Sequence, residues 1–208
     1  MPDLSGLSLA IEAGDRASAV RFTNEALEAG VPPQEILNAM TGAMGIIGRK
    51  FQDGDIFVPE MLIAARAMKE ATAILEPVLV EAGIRPEHTA VIGTVEGDLH
   101  DIGKNLVGMM LKGAAIAVVD LGVNVPAERF VESAREHHAS LIGLSALLTT
   151  TMPNMRKTVE AIRASGLNTK VMIGGAPTTP EFAAQIGADG FGPDAGAAAD
   201  LAKSLLAG

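Results

Sequence analysis

The residues with chemical potential gather in one stretch, Gly93-Thr94-Val95-Glu96-Gly97-Asp98-Leu99-His100-Asp101-Ile102-Gly103-Lys104-Asn105. It carries one histidine, His100, with an acid on either side, Asp98 and Asp101. Glycines at 93, 97 and 103 would let the backbone come close to something bulky, so the pattern points to ligand binding. Two later clusters have a related character: Ser145-Ala146-Leu147 followed by Thr149-Thr150-Thr151, and Gly174-Gly175-Ala176-Pro177. Thiolate nucleophiles, disulfides and zinc-finger chemistry are excluded together, because the chain has no cysteine.

Hydrophobic periodicity predicts the elements that must position these clusters. From His88 onward, strands are expected at Ala90–Thr94, Ala115–Asp120, Ser140–Ser145, Lys170–Ile173 and Gly187–Phe191. They alternate with helices at Ile102–Lys112, Ala127–His138, Met152–Ser165, Pro180–Ile186 and Ala195–Leu206. Alternation of near-continuous apolar strands with helices implies a doubly wound parallel sheet of five strands, covered on both faces. All three clusters then fall at the C-terminal ends of strands, where open α/β sheets bind ligands. Paired glycines directly after a strand remove side chains from that space, so the three loops side by side would line a slot running into the sheet.

The preceding residues, 1–85, read as helical throughout. Ser5 could cap a short first helix ending near Gly14, and Ala17–Ala29 ends at Gly30. Pro32-Pro33 opens a third helix that runs to Phe51, and a fourth starts near Pro59 and reaches about Glu81. Short connections suggest an antiparallel four-helix bundle, with Met40, Met44 and Met68 in its core. Gly83, Pro86 and a change of periodicity mark a boundary, giving a helical domain at 1–85 and an α/β domain at 88–208.

Composition narrows the function classes. The net charge of −9 argues against nucleic acid, which needs a basic face. No apolar run approaches bilayer-spanning length, and Met1–Ser5 has no signal-peptide charge pattern, so a cytoplasmic protein without membrane association is expected. There is no Trp or Tyr, which removes base stacking and aromatic cages. His137 and His138 read as a solvated helix end, and His88 falls in the linker.

Taken together, Asp98-x-His100-x-x-Gly103, Ser145-x-Leu147 and Gly174-Gly175 resemble the signature of cobalamin-binding domains that hold the cofactor base-off with histidine on cobalt. The intervals between the motifs match that family, and the helical segment resembles the cap module of methionine synthase and of the small corrinoid proteins of methylamine, methanol and glycine betaine methyltransferase systems. The resemblance covers nearly the whole chain and implies a helical cap followed by a flavodoxin-like sheet. It implies a cobalamin or related corrinoid as cofactor, with His100 as the cobalt ligand, Asp98 on its other ring nitrogen and Ser145 completing the relay; these three are the candidate catalytic residues. Gly97, Leu99, Asp101, Ile102 and Gly103 would lie against the corrin. Ser145, Leu147, Thr149, Gly174 and Gly175 would bound the slot for the nucleotide tail, with Gly192 and Ala195 in a loop closing over it. In the cap, Phe57-Val58-Pro59-Glu60-Met61-Leu62 and Ala65 resemble the segment covering the upper face, and Met61 is the candidate contact.

The function implied is that of a carrier: a methyl group on cobalt passes from a barrel-type, substrate-specific methyltransferase to an acceptor methyltransferase, with a reductive activase restoring the cofactor. A cobalamin sensor or storage module that transfers no methyl group is the alternative, and a receiver-like domain with another ligand is a third. Bland readings stand beside these. Ser145 alone is often only a small strand-end residue, Thr149–Thr151 could simply start a helix, and Asp101 could do no more than stabilise the next helix N-terminus.

Overall fold

The computed structural model describes residues 4–207; the expected domain ends at 1–3 and at 208 lie outside the described residues. The chain forms two compact units whose main boundary falls between Pro86 and Glu87.

The first unit is built from α1 (Ser5–Glu12), α2 (Arg16–Glu28), α3 (Pro33–Gln52) and α4 (Val58–Glu81). Local signals set their ends. The Asp15 side chain accepts from Ser18 N–H at 3.1 Å to start α2, and Glu60 accepts from Phe57 N–H at 3.1 Å to start α4. Ser5 begins α1 instead of capping it: Ser8 N–H already bonds to the Leu4 carbonyl, which puts Leu4 at the N-cap. Apolar residues at helical spacing bury Leu7, Ile11, Ile36, Met40, Met44, Ile47, Met61, Met68 and Leu75.

The second unit is a five-stranded, all-parallel sheet in the order β2-β1-β3-β4-β5, as expected. Its strands are β1 (Thr89–Thr94), β2 (Ala117–Asp120), β3 (Leu141–Ser145), β4 (Lys170–Gly174) and β5 (Gly190–Gly192). Its helices are α5 (Ile102–Gly113), α6 (Ala127–Glu136), α7 (Met152–Ala164), α8 (Pro180–Ile186) and α9 (Ala195–Leu206). Strand residues alternate between two covered faces. Val91, Ile142, Leu144, Val171 and Ile173 join one core with Phe130 of α6, Met155 and Val159 of α7 and Ile186 of α8. On the other face Gly108 lets α5 approach Ile92, and α9 packs on β4 and β5.

Three boundaries that differ from the expectation have a clear local cause. β2, expected from Ala115, begins at Ala117, because Ala115 itself adopts φ 59°. Gly187 does not open β5; it closes α8 in the left-handed conformation at φ 77°, so the strand shortens to Gly190–Gly192. His137 and His138 lie beyond α6, because His138 itself adopts φ 48°. Among the described residues, no helix is long and apolar enough to cross a membrane.

Candidate cofactor site

The parallel register sets the ends of β1, β3 and β4 side by side, pairing Thr94 with Ser145 and Ser145 with Gly174. Beyond Thr94 the chain pairs once more, Val95 with Val125, and then turns through Gly97. Asp98 follows, with no exposed surface.

The polar contacts of the Asp98 carboxylate are all donors, from its own loop and from the loop after β3. Oδ1 accepts from His100 N–H at 3.1 Å and from His100 Nδ1 at 2.7 Å. Oδ2 accepts from Leu147 N–H at 2.7 Å, Leu148 N–H at 3.2 Å and Thr151 Oγ1 at 2.8 Å. Burial alone would push this carboxyl up; the hydrogen bonds from Leu147, His100 and Thr151 outweigh it and hold the group well below the usual carboxylate range. An ionised carboxylate can only accept, so Nδ1 of His100 carries the proton and Nε2 keeps the lone pair that a metal would take. The His100 side chain is 51% exposed, so that nitrogen is reachable.

The relay is corrected at one position. The hydroxyl on Asp98 belongs to Thr151, not Ser145. Ser145 stays in register at the end of β3, while the chain beyond it turns through Leu147 and Leu148 into a 3-10 turn at Thr149–Thr151 that brings the last threonine back. Thr151 is therefore the hydroxyl partner of Asp98 that the sequence reading passed over; the threonine run was its signal. Thr149 is exposed in the same turn, and Leu147 contributes its N–H while its side chain is exposed.

The remaining expected residues fall into two groups. Around His100, Leu99 is 71% and Ile102 75% exposed, and Leu147 and Leu148 are exposed beside them in the second loop. A Cβ built on Gly103 would meet nothing within 4 Å, and Asp101 accepts from Asn105 Nδ2 at 3.0 Å at the start of α5. The glycines after β4 behave differently. A Cβ on Gly175 would stand 1.8 Å from the Ala146 carbonyl oxygen, and one on Gly174 would stand 3.0 Å from the Gly192 carbonyl oxygen. Their lack of side chains lets adjacent strand ends approach one another. Ala195 is buried at the start of α9, which Asp194 caps through Ala197 N–H at 2.8 Å. Met61, in the other unit, is buried near the start of α4, with Phe57 exposed at its N-cap.

Two more side chains tie the loop down. Thr94 Oγ1, fully buried, donates to the His100 carbonyl at 2.9 Å. Lys104, 4% exposed, donates to Asp120 at the end of β2 and to Asn105 Oδ1 at 2.7 Å. Asp120 Oδ1 also accepts from Gly122 N–H, whose carbonyl receives Thr94 N–H.

These residues fit a metal carried in a macrocycle. Such a metal needs a single protein nitrogen with a fixed tautomer, as haem iron does, plus a flat apolar rim. His100 supplies the first, and Leu99, Ile102, Leu147 and Leu148 supply the second. Among the described residues, no cluster of three or more His, Cys, Asp or Glu could hold a bare ion.

Comparisons with known proteins agree with that geometry. Residues 88–202 match the family model of the B12 binding domain, and residues 4–76 match a second B12 binding domain model. Dimethylamine corrinoid protein 1 of Methanosarcina acetivorans is 41% identical over 196 residues, 92% of each chain. The crystal structure of a cobalamin-binding protein from Desulfitobacterium hafniense is 30% identical, with a TM-score of 0.83 over 99% of both chains. A chain of the methanol:cobalamin methyltransferase complex of Methanosarcina barkeri is also 30% identical, with a TM-score of 0.86 over 98% of this chain and 79% of that one.

Proposed function

This chain belongs to the B12-binding corrinoid proteins, and on that premise we propose that it is a methyl carrier serving a pair of methyltransferases. The corrinoid would supply a cobalt centre able to accept and release a methyl group. The protein's own residues would hold that centre and supply it with one nitrogen ligand. His100 presents Nε2; Asp98 keeps the proton on Nδ1 and fixes the orientation of the ring; Thr151 and the Leu147 and Leu148 N–H groups keep Asp98 ionised and still. Thr94 restrains the His100 backbone from below. Leu99, Ile102 and Leu147 would offer apolar contact to the macrocycle, and Gly103 would put no side chain in its way.

The observation that carries this reading is the 2.7 Å bond between fully buried Asp98 and half-exposed His100. Named relatives in dimethylamine and trimethylamine systems support a methylamine-type donor methyltransferase. The proposed partners are a barrel-type donor methyltransferase, an acceptor methyltransferase and a reductive activase, in the cytoplasm. The electron paramagnetic resonance spectrum of the Co(II)-loaded protein tests the ligand. Wild type should show nitrogen splitting from one imidazole and His100→Ala should lose it; an unchanged spectrum would refute the assignment. Methyl transfer to the loaded protein from a methylamine and its methyltransferase tests the carrier role, and a protein that binds cobalamin but takes no methyl group from any such pair would be a sensor or store.

A further inference from the structure

The peptide between Glu96 and Gly97 is gripped at both ends by asparagine side chains, one from a helix and one from a loop. Asn154 Nδ2, in the first turn of α7, donates to the Glu96 carbonyl at 2.8 Å. Asn124 Oδ1, in the loop after β2, accepts from Gly97 N–H at 2.7 Å. Carbonyl and N–H belong to one planar unit, so its orientation is set from two sides. The next residue is Asp98, and Asn124 reaches it too: its backbone N–H donates to the Asp98 carbonyl at 2.9 Å.

Neither asparagine is a core residue. Asn124 is exposed and Asn154 half-buried, and Glu96 and Asn154 both line a cleft of about 250 Å³ between α6 and α7. Water could satisfy a peptide there without help from side chains. The clamp is also bought with backbone strain at Asn124, whose φ of 55° lies in the left-handed region that asparagine tolerates better than most residues. Two side chains spent on one exposed peptide indicate that its orientation matters.

We propose that Asn124 and Asn154 are positioning residues for His100: by fixing the Glu96–Gly97 peptide they set the direction in which Asp98 enters the site, and Asp98 then sets the imidazole. The inference rests on His100 being the cobalt ligand. The two asparagines use opposite ends of their amides, and this yields a crossed test. Asn124→Asp keeps an acceptor oxygen. Asn154→Asp removes the donor and turns a carboxylate oxygen toward the Glu96 carbonyl.

The experiment uses the full chain loaded with cobalamin and reduced to Co(II). Asn124→Ala and Asn154→Ala should each lower the share of protein showing imidazole nitrogen splitting and weaken cobalamin binding roughly tenfold, the usual size of an outer-shell effect. The thermal unfolding midpoint of Asn154→Ala should stay close to wild type, while that of Asn124→Ala should fall by a few degrees, because alanine is strained at φ 55°. Asn124→Asp should restore the splitting lost in Asn124→Ala, whereas Asn154→Asp should not restore that lost in Asn154→Ala. In the unloaded protein, Gly97 amide hydrogen exchange should accelerate in Asn124→Ala and return toward wild type in Asn124→Asp. Alanine variants with full nitrogen splitting, or aspartate variants that behave alike, would overturn the clamp while leaving the ligand in place. Wild-type protein that binds cobalamin without any nitrogen splitting would overturn the ligand assignment and this inference with it.

Discussion

Asp98 exposes no surface, yet its Oδ1 lies 2.7 Å from the Nδ1 of His100, whose side chain is half exposed. A hidden anion thus orients a reachable base. Because the anion faces only donors, it has one stable protonation state near neutrality, and the ring inherits one tautomer from it.

The first prediction separates the two candidate hydroxyls. Thr151→Val removes a donor to a buried carboxylate and should cost about 2 kcal/mol of stability in the unloaded protein. It should also reduce imidazole splitting after loading with Co(II) cobalamin. Ser145→Ala leaves the donors of Asp98 in place and should change stability by no more than about 0.5 kcal/mol. Urea unfolding of both variants decides; a larger loss for Ser145→Ala would reverse the assignment.

The second concerns pH. The folded-state pKa of Asp98 lies below its ordinary value of 3.8, so its ionised form stabilises the fold. That contribution is fully present above about pH 4 and is lost as pH falls toward the depressed folded value. Asp98→Asn lacks it. The gap in unfolding free energy between wild type and this variant should therefore be constant from pH 7 to about pH 5 and shrink below pH 4. A gap that widens on acidification would mean the carboxyl is not held ionised.

Lys104 and Asp120 give an asymmetric prediction. The lysine is 4% exposed and the aspartate 39%, so removing either partner strands a different environment. Asp120→Asn leaves a buried ammonium facing neutral groups and should cost about 3 kcal/mol. Lys104→Met leaves a carboxylate that water can reach and that still accepts from Gly122 N–H, and should cost about 1 kcal/mol. Equal losses in chemical denaturation would contradict the difference in burial.

The glycines supply the fourth. Gly175→Ala would drive a methyl group to 1.8 Å from the Ala146 carbonyl oxygen at a φ of 123°, and should destabilise the protein by about 3 kcal/mol or more. Gly103→Ala places its methyl in free space within a helix and should leave the unloaded protein as stable or up to about 1 kcal/mol more so. The same variant should weaken cobalamin binding, because on the proposed function the macrocycle would lie against the bare Gly103. Thermal melts of the unloaded protein with cobalamin titration separate the two effects.

Much of this was legible beforehand because it depends on local patterns. Helical spacing placed α8 and α9 at their observed ends, and β-branched runs placed β1 and β4 to within a residue. Asp98 and His100 could be paired because they stand two positions apart. What escaped notice depends on where the chain travels after leaving a strand. Ser145 looked like the relay hydroxyl because it ends β3, but the 3-10 turn that returns Thr151 has no periodicity to announce it. Gly174 and Gly175 suggested empty space, whereas the room their side chains would need is taken by the backbone of Gly192 in β5 and of Ala146 just past β3, a fact of packing that composition does not encode. Lys104 reads as a solvated residue in any helical pattern; only the parallel pairing of β1 with β2 brings Asp120 to it.

The donors that meet Asp98 from Leu147 and Thr151 stand 49 and 53 positions along the chain from it. The Asp98 carboxylate therefore gains its full set of donors only once β3 lies beside β1 and the 3-10 turn has closed, contacts whose loop closure costs more entropy than local pairs. During synthesis, the ribosome must release Thr151 before that set can be complete. The anion behind His100 is thus held from both sides only when the sheet beneath it is in place.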